Sequence, residues 1–109
     1  DHPQLKIAGG YDHYFILRPF SPFSVQAYSE ETGIVLTLRT NAPGIQLYAG
    51  NFLNGTLKAK GGYCPQKRGG FCPEPISYPD AVNQPNFPSC VVSRNNPQKY
   101  RTELSFSVK

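Results

Sequence analysis

The chain has 109 residues, 39% of them hydrophobic and 17% charged, and carries a formal net charge of +4. That length admits one domain with a modest core, and 10 Gly with 11 Pro fall short of the share that marks a disordered chain. No apolar run is long enough to span a bilayer, and no signal-peptide pattern stands at the N-terminus. The basic residues are scattered. Only Lys58 to Arg68 approaches a patch, with Tyr63 inside it, and it reads as a solvated basic loop rather than a nucleic-acid surface.

Taken in order, the chain opens at Asp1, which reads as a processed, trimmed or partial N-terminus. Gly9-Gly10 leads into Tyr11 to Leu17, dense in aromatic and β-branched residues and stopped by Pro19 and Pro22, the pattern of a strand. Phe23 to Tyr28 alternates apolar and polar residues. Glu30-Glu31-Thr32-Gly33 is a short turn, and Ile34 to Arg39 returns with Ile34, Leu36 and Leu38 on one face. This hairpin is the firmest local expectation. Asn41-Ala42-Pro43-Gly44 turns the chain again into a short strand, Ile45 to Ala49, on which Gln46 faces away from Ile45 and Leu47 and toward a polar cleft. Gly50 to Lys60 reads as a loop, and Gly61-Gly62 with Gly69-Gly70 bracket a flexible excursion.

Phe71 to Pro88 holds five prolines, two carboxylates (Glu74 and Asp80) and no basic residue. Proline fixes φ and removes a donor, so the segment is neither a helix nor a central strand for long. It reads as a semi-rigid connection that holds Glu74 and Asp80 in place, or as an ordinary proline-rich surface loop. Cys90-Val91-Val92 is expected as a short strand, and Tyr100 to Val108 as a final one that alternates Thr102, Leu104, Phe106 and Val108 against Glu103, Ser105 and Ser107. No segment has the pattern of a helix of normal length. The class is all-β, an antiparallel β-sandwich.

Three cysteines, Cys64, Cys72 and Cys90, leave one unpaired whichever bridge forms. A disulfide between Cys64 and Cys72 closing the loop between them, and three reduced thiols, both fit. With His2 and His13 far off in sequence, no metal site is expected. Asn54-Gly55-Thr56 is a glycosylation sequon that matters only in a secreted chain.

Three blocks then raise a family. Gly10-Tyr11-Asp12-His13-Tyr14-Phe15, Pro43 to Leu53 (PGIQLYAGNFL) and Tyr78 to Pro88 (YPDAVNQPNFP) together resemble the galactose mutarotases, or aldose 1-epimerases, in order and near spacing. The resemblance spans essentially the whole chain but only the C-terminal part of the family's larger β-sandwich. Residues 1–109 are therefore expected to be a single partial domain, with the rest of the fold upstream of Asp1. It implies Glu74 as the catalytic base that takes the proton from the anomeric hydroxyl, and Asp12 and Gln46 as ligands of the sugar hydroxyls. It implies a free hexose as substrate, no cofactor and a cytoplasmic setting, although the sequon at Asn54 and the three cysteines also fit an extracellular one.

Ring opening takes a base at the C1 hydroxyl and an acid at the ring oxygen. The family's acid histidine has no counterpart here: His2 lies at the terminus, and His13 follows Asp12 on a strand, so their side chains face apart. Pro73 and Pro75 stand beside Glu74, where the family usually carries other residues. Three readings result. They are an aldose 1-epimerase seen through its C-terminal portion, a catalytically silent sugar-binding relative, and a small secreted defence or inhibitor protein stapled by disulfides. Partners expected beside the sugar are the missing N-terminal part of the same fold or a second copy, with neither nucleic acid nor membrane.

Overall fold

The computed structural model describes residues 2–19, 21 and 23–109. Its strands are β1 (Asp12–Ile16), β2 (Val25–Tyr28), β3 (Ile34–Thr40), β4 (Gly44–Tyr48), β5 (Cys72–Ile76) and β6 (Thr102–Val108). They form two three-stranded sheets, ordered β1-β4-β5 and β2-β3-β6. The fold is all-β and sandwich-like in class, with one short helix, α1 (Pro3–Ala8). No helix among the described residues is long and apolar enough to cross a membrane. By its contacts the chain forms two compact units, residues 1–15 with 46–74, and residues 16–45 with 75–109.

In the second unit the hairpin forms as its alternation dictates. Val25 pairs with Leu38 and Ala27 with Leu36 across antiparallel strands. The turn closes through Ser29 N–H to Ile34 O (3.0 Å) and Gly33 N–H to Ser29 O (2.9 Å). Gly33 sits there at φ 70°, a left-handed value that glycine adopts without penalty. β6 then adds to the other edge of β3, setting Leu104 opposite Leu38, Phe106 opposite Leu36 and Val108 opposite Ile34. One apolar face therefore runs across the sheet, and Leu38 at its centre is 2% exposed. Burial fades toward the end of the ladder, where Ile34 is 48% and Val108 77% exposed.

One expectation is corrected by local chemistry. Cys90 to Val92 is irregular rather than a strand. A side chain takes one of its backbone donors, Ser89 Oγ accepting from Val91 N–H, while the Gln98 amide donates to Ser89 O just before it. Such short-range bonds compete with a ladder. No helix of normal length occurs among the described residues; α1 has six residues. Pro3 starts α1, His2 Nδ1 accepts from Gln4 N–H, and Gly9 ends it in the left-handed conformation at φ 69°.

The proline-rich segment from Phe71 also differs from its reading as a connection. Cys72 to Ile76 is a strand, and it stands at the edge of its sheet beside β4. Successive amides of a strand point to opposite sides, so prolines two apart, Pro73 and Pro75, lose their donors on one side only. The amides of Cys72, Glu74 and Ile76 remain for the other side, and an edge position tolerates the arrangement. Beyond β5 the chain closes into a turn from Tyr78 to Gln84, bonded through Ala81 N–H to Tyr78 O and Asn83 N–H to Asp80 O.

The centre of the β2-β3-β6 face makes the first prediction. Truncation of a buried leucine removes transfer energy and leaves a cavity. Leu38→Ala is expected to cost about 3 kcal/mol, whereas Val108→Ala, at a residue 77% exposed, should stay within about 0.5 kcal/mol. Urea midpoints of the two variants check the difference.

Candidate functional site

The site begins with how β1 and β4 are held together. Ala49 N–H donates to Tyr11 O (3.0 Å) at one end of the pair, and Leu17 N–H donates to Pro43 O (3.1 Å) at the other. These bonds run antiparallel and bring together residues about thirty positions apart. Between them the Gln46 amide Nε2 donates to Asp12 Oδ1 at 2.8 Å, both side chains half-buried. A carboxylate held by an amide keeps its second oxygen and further lone pairs for a ligand, and the amide keeps its carbonyl and its other N–H. That is a surface suited to a polyhydroxylated molecule, whose hydroxyls both donate and accept.

Tyr48, two residues beyond Gln46 and on the same face of β4, is fixed by its own loop. Its hydroxyl accepts from Phe52 N–H (3.0 Å), and its ring stacks on Phe52 with centroids 6.0 Å apart. On β5, the strand next to β4, Glu74 is exposed while Pro73 and Pro75 are half-covered. The Glu74 carboxylate makes no hydrogen bond or ion pair with any described residue. The structure thus joins Asp12 directly to Gln46 and sets Glu74 on the neighbouring strand, bonded to neither.

The histidines are engaged elsewhere. His13 Nδ1 accepts from the backbone N–H of Asp12 (3.1 Å), and His2 Nδ1 caps α1. A cavity of about 490 Å³ in the first unit is lined by both, together with Leu5, Tyr11 and Phe15. Cys64, Cys72 and Cys90 are free thiols. The Asn54 carbonyl accepts from Thr56 N–H (3.1 Å) and Oγ1 (2.6 Å) in an exposed turn. No group of three or more metal-ligating side chains occurs among the described residues.

Two residues that sequence reasoning passed over support the pair. Asn51 is 8% exposed and donates from Nδ2 to Tyr11 O (2.8 Å), one residue before Asp12. Its Oδ1 is buried without a partner among the described residues and lies so near Gly10 that a Cβ there would meet it at 2.1 Å. Only glycine fits at position 10. Arg68 donates from its guanidinium to Gly9 O (2.7 Å). The signal for Asn51 was present in the Gly50-Asn51-Phe52 block, but Arg68 carries none, because a cation in a glycine-rich loop reads as solvated.

Asp80, the other carboxylate of the proline-rich segment, has a different role. Its two oxygens accept from Asn83 Nδ2 (2.6 Å) and Gln84 Nε2 (2.8 Å), so the acid and both amides of the YPDAVNQP block close on one another. The bond from Gln84, and then that from Asn83, holds this carboxyl below the usual aspartate range.

The chain is all-β and sandwich-like in class, and it presents a carboxylate–amide pair on one sheet. The chain belongs to the aldose 1-epimerase family, whose sequence profile, described as Aldose 1-epimerase, matches residues 1–107. It is 41% identical to the galactose mutarotase of Bos taurus over 109 residues, 98% of this chain and 32% of that protein. It is 42% identical to the galactose mutarotase of Homo sapiens over 101 residues, 91% of this chain and 30% of that one. The aldose 1-epimerase of Escherichia coli (strain K12) is 31% identical over 111 residues, 97% of this chain and 32% of the enzyme. The chain thus spans about a third of the length of the curated relatives it matches.

The turn around Asp80 makes a prediction with a definite sign. A carboxyl whose folded pKa is depressed stabilises the fold above its unfolded value, and that contribution is lost as pH falls through the folded value. Carbon-detected NMR titration should place Asp80 below an ordinary aspartate. Gln84→Ala should return it further toward the ordinary value than Asn83→Ala does, since the Gln84 bond is the larger cause.

Proposed function

We propose that the protein carrying this chain is an aldose 1-epimerase that interconverts the α and β anomers of a free hexose such as galactose or glucose. The observation that carries the reading is the 2.8 Å bond between Gln46 and Asp12, on adjacent strands of the sheet whose edge strand holds Glu74. In this reading Asp12 and Gln46 grip sugar hydroxyls, and Glu74 takes the proton from the C1 hydroxyl. As that proton leaves, the bond between C1 and the ring oxygen breaks and the ring oxygen is protonated. The open aldehyde turns about its C1–C2 bond and closes on the other face, with both protons returned. No metal or redox group enters this balance.

Glu74 suits the part of base for a physical reason. It is exposed and its carboxylate is without a hydrogen bond among the described residues, and so is available to a substrate proton. The acid at the ring oxygen is assigned to the part of the family fold that this chain does not span. The chain covers 32% of the bovine relative. Residues 1–109 are accordingly proposed to be one portion of a single β-sandwich domain. The remainder of that sandwich would cover the apolar face of β6, where Leu104, Phe106 and Val108 are 57%, 70% and 77% exposed. A second reading, a silent sugar-binding relative, draws on Pro73 and Pro75, which fix φ on either side of Glu74.

Polarimetry of α-galactose mutarotation separates the two. Glu74→Gln keeps shape and removes the base, and is expected to lower kcat by at least about 10²-fold with an unchanged far-UV spectrum. Near-parental rates in that variant would remove Glu74 from the mechanism, and galactose binding without turnover in the parent would establish the silent reading. The 109-residue chain expressed alone is expected to self-associate on size-exclusion chromatography, because exposed apolar strands seek cover. A monodisperse 12.1 kDa species would count against the partial-sandwich assignment.

A further inference from the structure

Arg68 holds an unusual place in the loop before β5. Its φ is 60°, a left-handed value that a non-glycine residue keeps only where its surroundings impose it, at a cost of about 1 kcal/mol or more. Arg68 stands third in a turn closed by Gly69 N–H to Gln66 O (2.8 Å), and two long-range bonds tie it to distant segments. The Arg68 N–H donates to Gly50 O (3.1 Å), and the guanidinium donates to Gly9 O (2.7 Å), fifty-nine residues away in sequence. The loop is packed closely at this point. A Cβ on Gly50 would meet Gly70 O and Leu53 Cδ1 at 3.0 Å each and the Arg68 Cα at 3.6 Å. No carboxylate is paired with Arg68 among the described residues, and the guanidinium is held by the Gly9 carbonyl.

Gly9 stands three residues before Asp12, and Gly50 four residues after Gln46. One side chain and its own amide therefore tie the chain entering β1 to the chain leaving β4. Ala49 N–H and Asn51 Nδ2 add two bonds to Tyr11 O in the same place. The pair that these ties flank, Asp12 and Gln46, depends on the offset of β1 against β4, since a slip of one residue would turn either side chain to the other face. A charge-assisted bond to a carbonyl is stronger than a neutral one.

We infer that Arg68 is a positioning residue for the sugar site: by binding Gly9 O and Gly50 O it fixes the β1–β4 offset and so the distance and aim of the Asp12–Gln46 pair. The inference rests on the proposed function for its sugar but on contacts within residues 9–68 for its geometry. Arg68 acts on substrate binding and not on proton transfer.

Two variants test it in the protein that carries this chain. Arg68→Gly removes the guanidinium while relaxing the left-handed backbone, so the fold is retained. Arg68→Lys keeps one cationic donor without the planar fork. The measurements are KM and kcat for galactose by polarimetry and the side-chain amide resonance of Gln46 by NMR. Arg68→Gly is expected to raise KM about tenfold with kcat within about twofold, the pattern of lost binding. It should also shift the Gln46 resonance, and Arg68→Lys should recover part of both effects. An unmoved Gln46 resonance, with KM within about twofold of the parent, would overturn the inference. A loss confined to kcat with that resonance unmoved would overturn it as well. If the parent turns over no galactose, or Asp12→Ala leaves KM unchanged, the sugar reading has failed. The Gln46 resonance in Arg68→Gly then decides the positioning role alone, a shift supporting it and no shift refuting it.

Discussion

The antiparallel pairing of β1 with β4 is the constraint on which the candidate site depends. Asp12 and Gln46 are thirty-four residues apart and meet only because Tyr11 O takes the Ala49 amide and Pro43 O takes the Leu17 amide. Closing so long a loop costs entropy that grows only slowly with its length, so the difficulty lies in offset rather than in distance. A strand that slips by one residue presents its other face. Here that would replace Gln46 with Ile45 or Leu47, and Asp12 with Tyr11 or His13. Glycine is part of the same constraint. Gly10 passes so close to Asn51 that any side chain would displace the amide bonded to Tyr11 O.

The second sheet answers to a different physics. Its register follows from an apolar row, with Val25, Leu38 and Leu104 aligned across three strands and Leu38 buried between them. Yet β6 is exposed along its whole length. A strand whose alternate residues are Leu104, Phe106 and Val108 is patterned to be covered on one face. The two carboxylates of the proline-rich segment divide along similar lines. Asp80 is consumed by its own turn, its oxygens bonded to Asn83 and Gln84, and Glu74 is left open on an edge strand. Carboxylates six residues apart in one segment thus have opposite uses, one structural and one available for chemistry.

Much of this was legible in the residues themselves. The β2–β3 hairpin, the alternation of β6 and the outward facing of Gln46 all follow from side-chain periodicity, because a half-buried strand must alternate whatever it packs against. The three family blocks carried membership, and with it the expectation that Asp12, Gln46 and Glu74 belong to one site. Periodicity also misled in one place. Cys90 to Val92 has the composition of a strand, but Ser89 Oγ takes the Val91 N–H locally.

What only the tertiary structure decided are the contacts between distant segments that leave no periodic trace. Prolines flanking Glu74 look like strand breakers in sequence. They are compatible with β5 because that strand lies at an edge and both missing donors point the same way, a fact of sheet order. Arg68 looks like a solvated cation, and only folding shows its guanidinium on Gly9 O. Asn51 looks like a loop amide, and only folding buries it against Gly10. By itself the sequence determined which residues alternate, where the turns fall and which family the chain resembles, since each depends on neighbours along the chain. The bond from Gln46 to Asp12 and the ties that flank it were decided by strand order and offset, because hydrogen bonds between remote segments depend on three-dimensional position and not on local pattern.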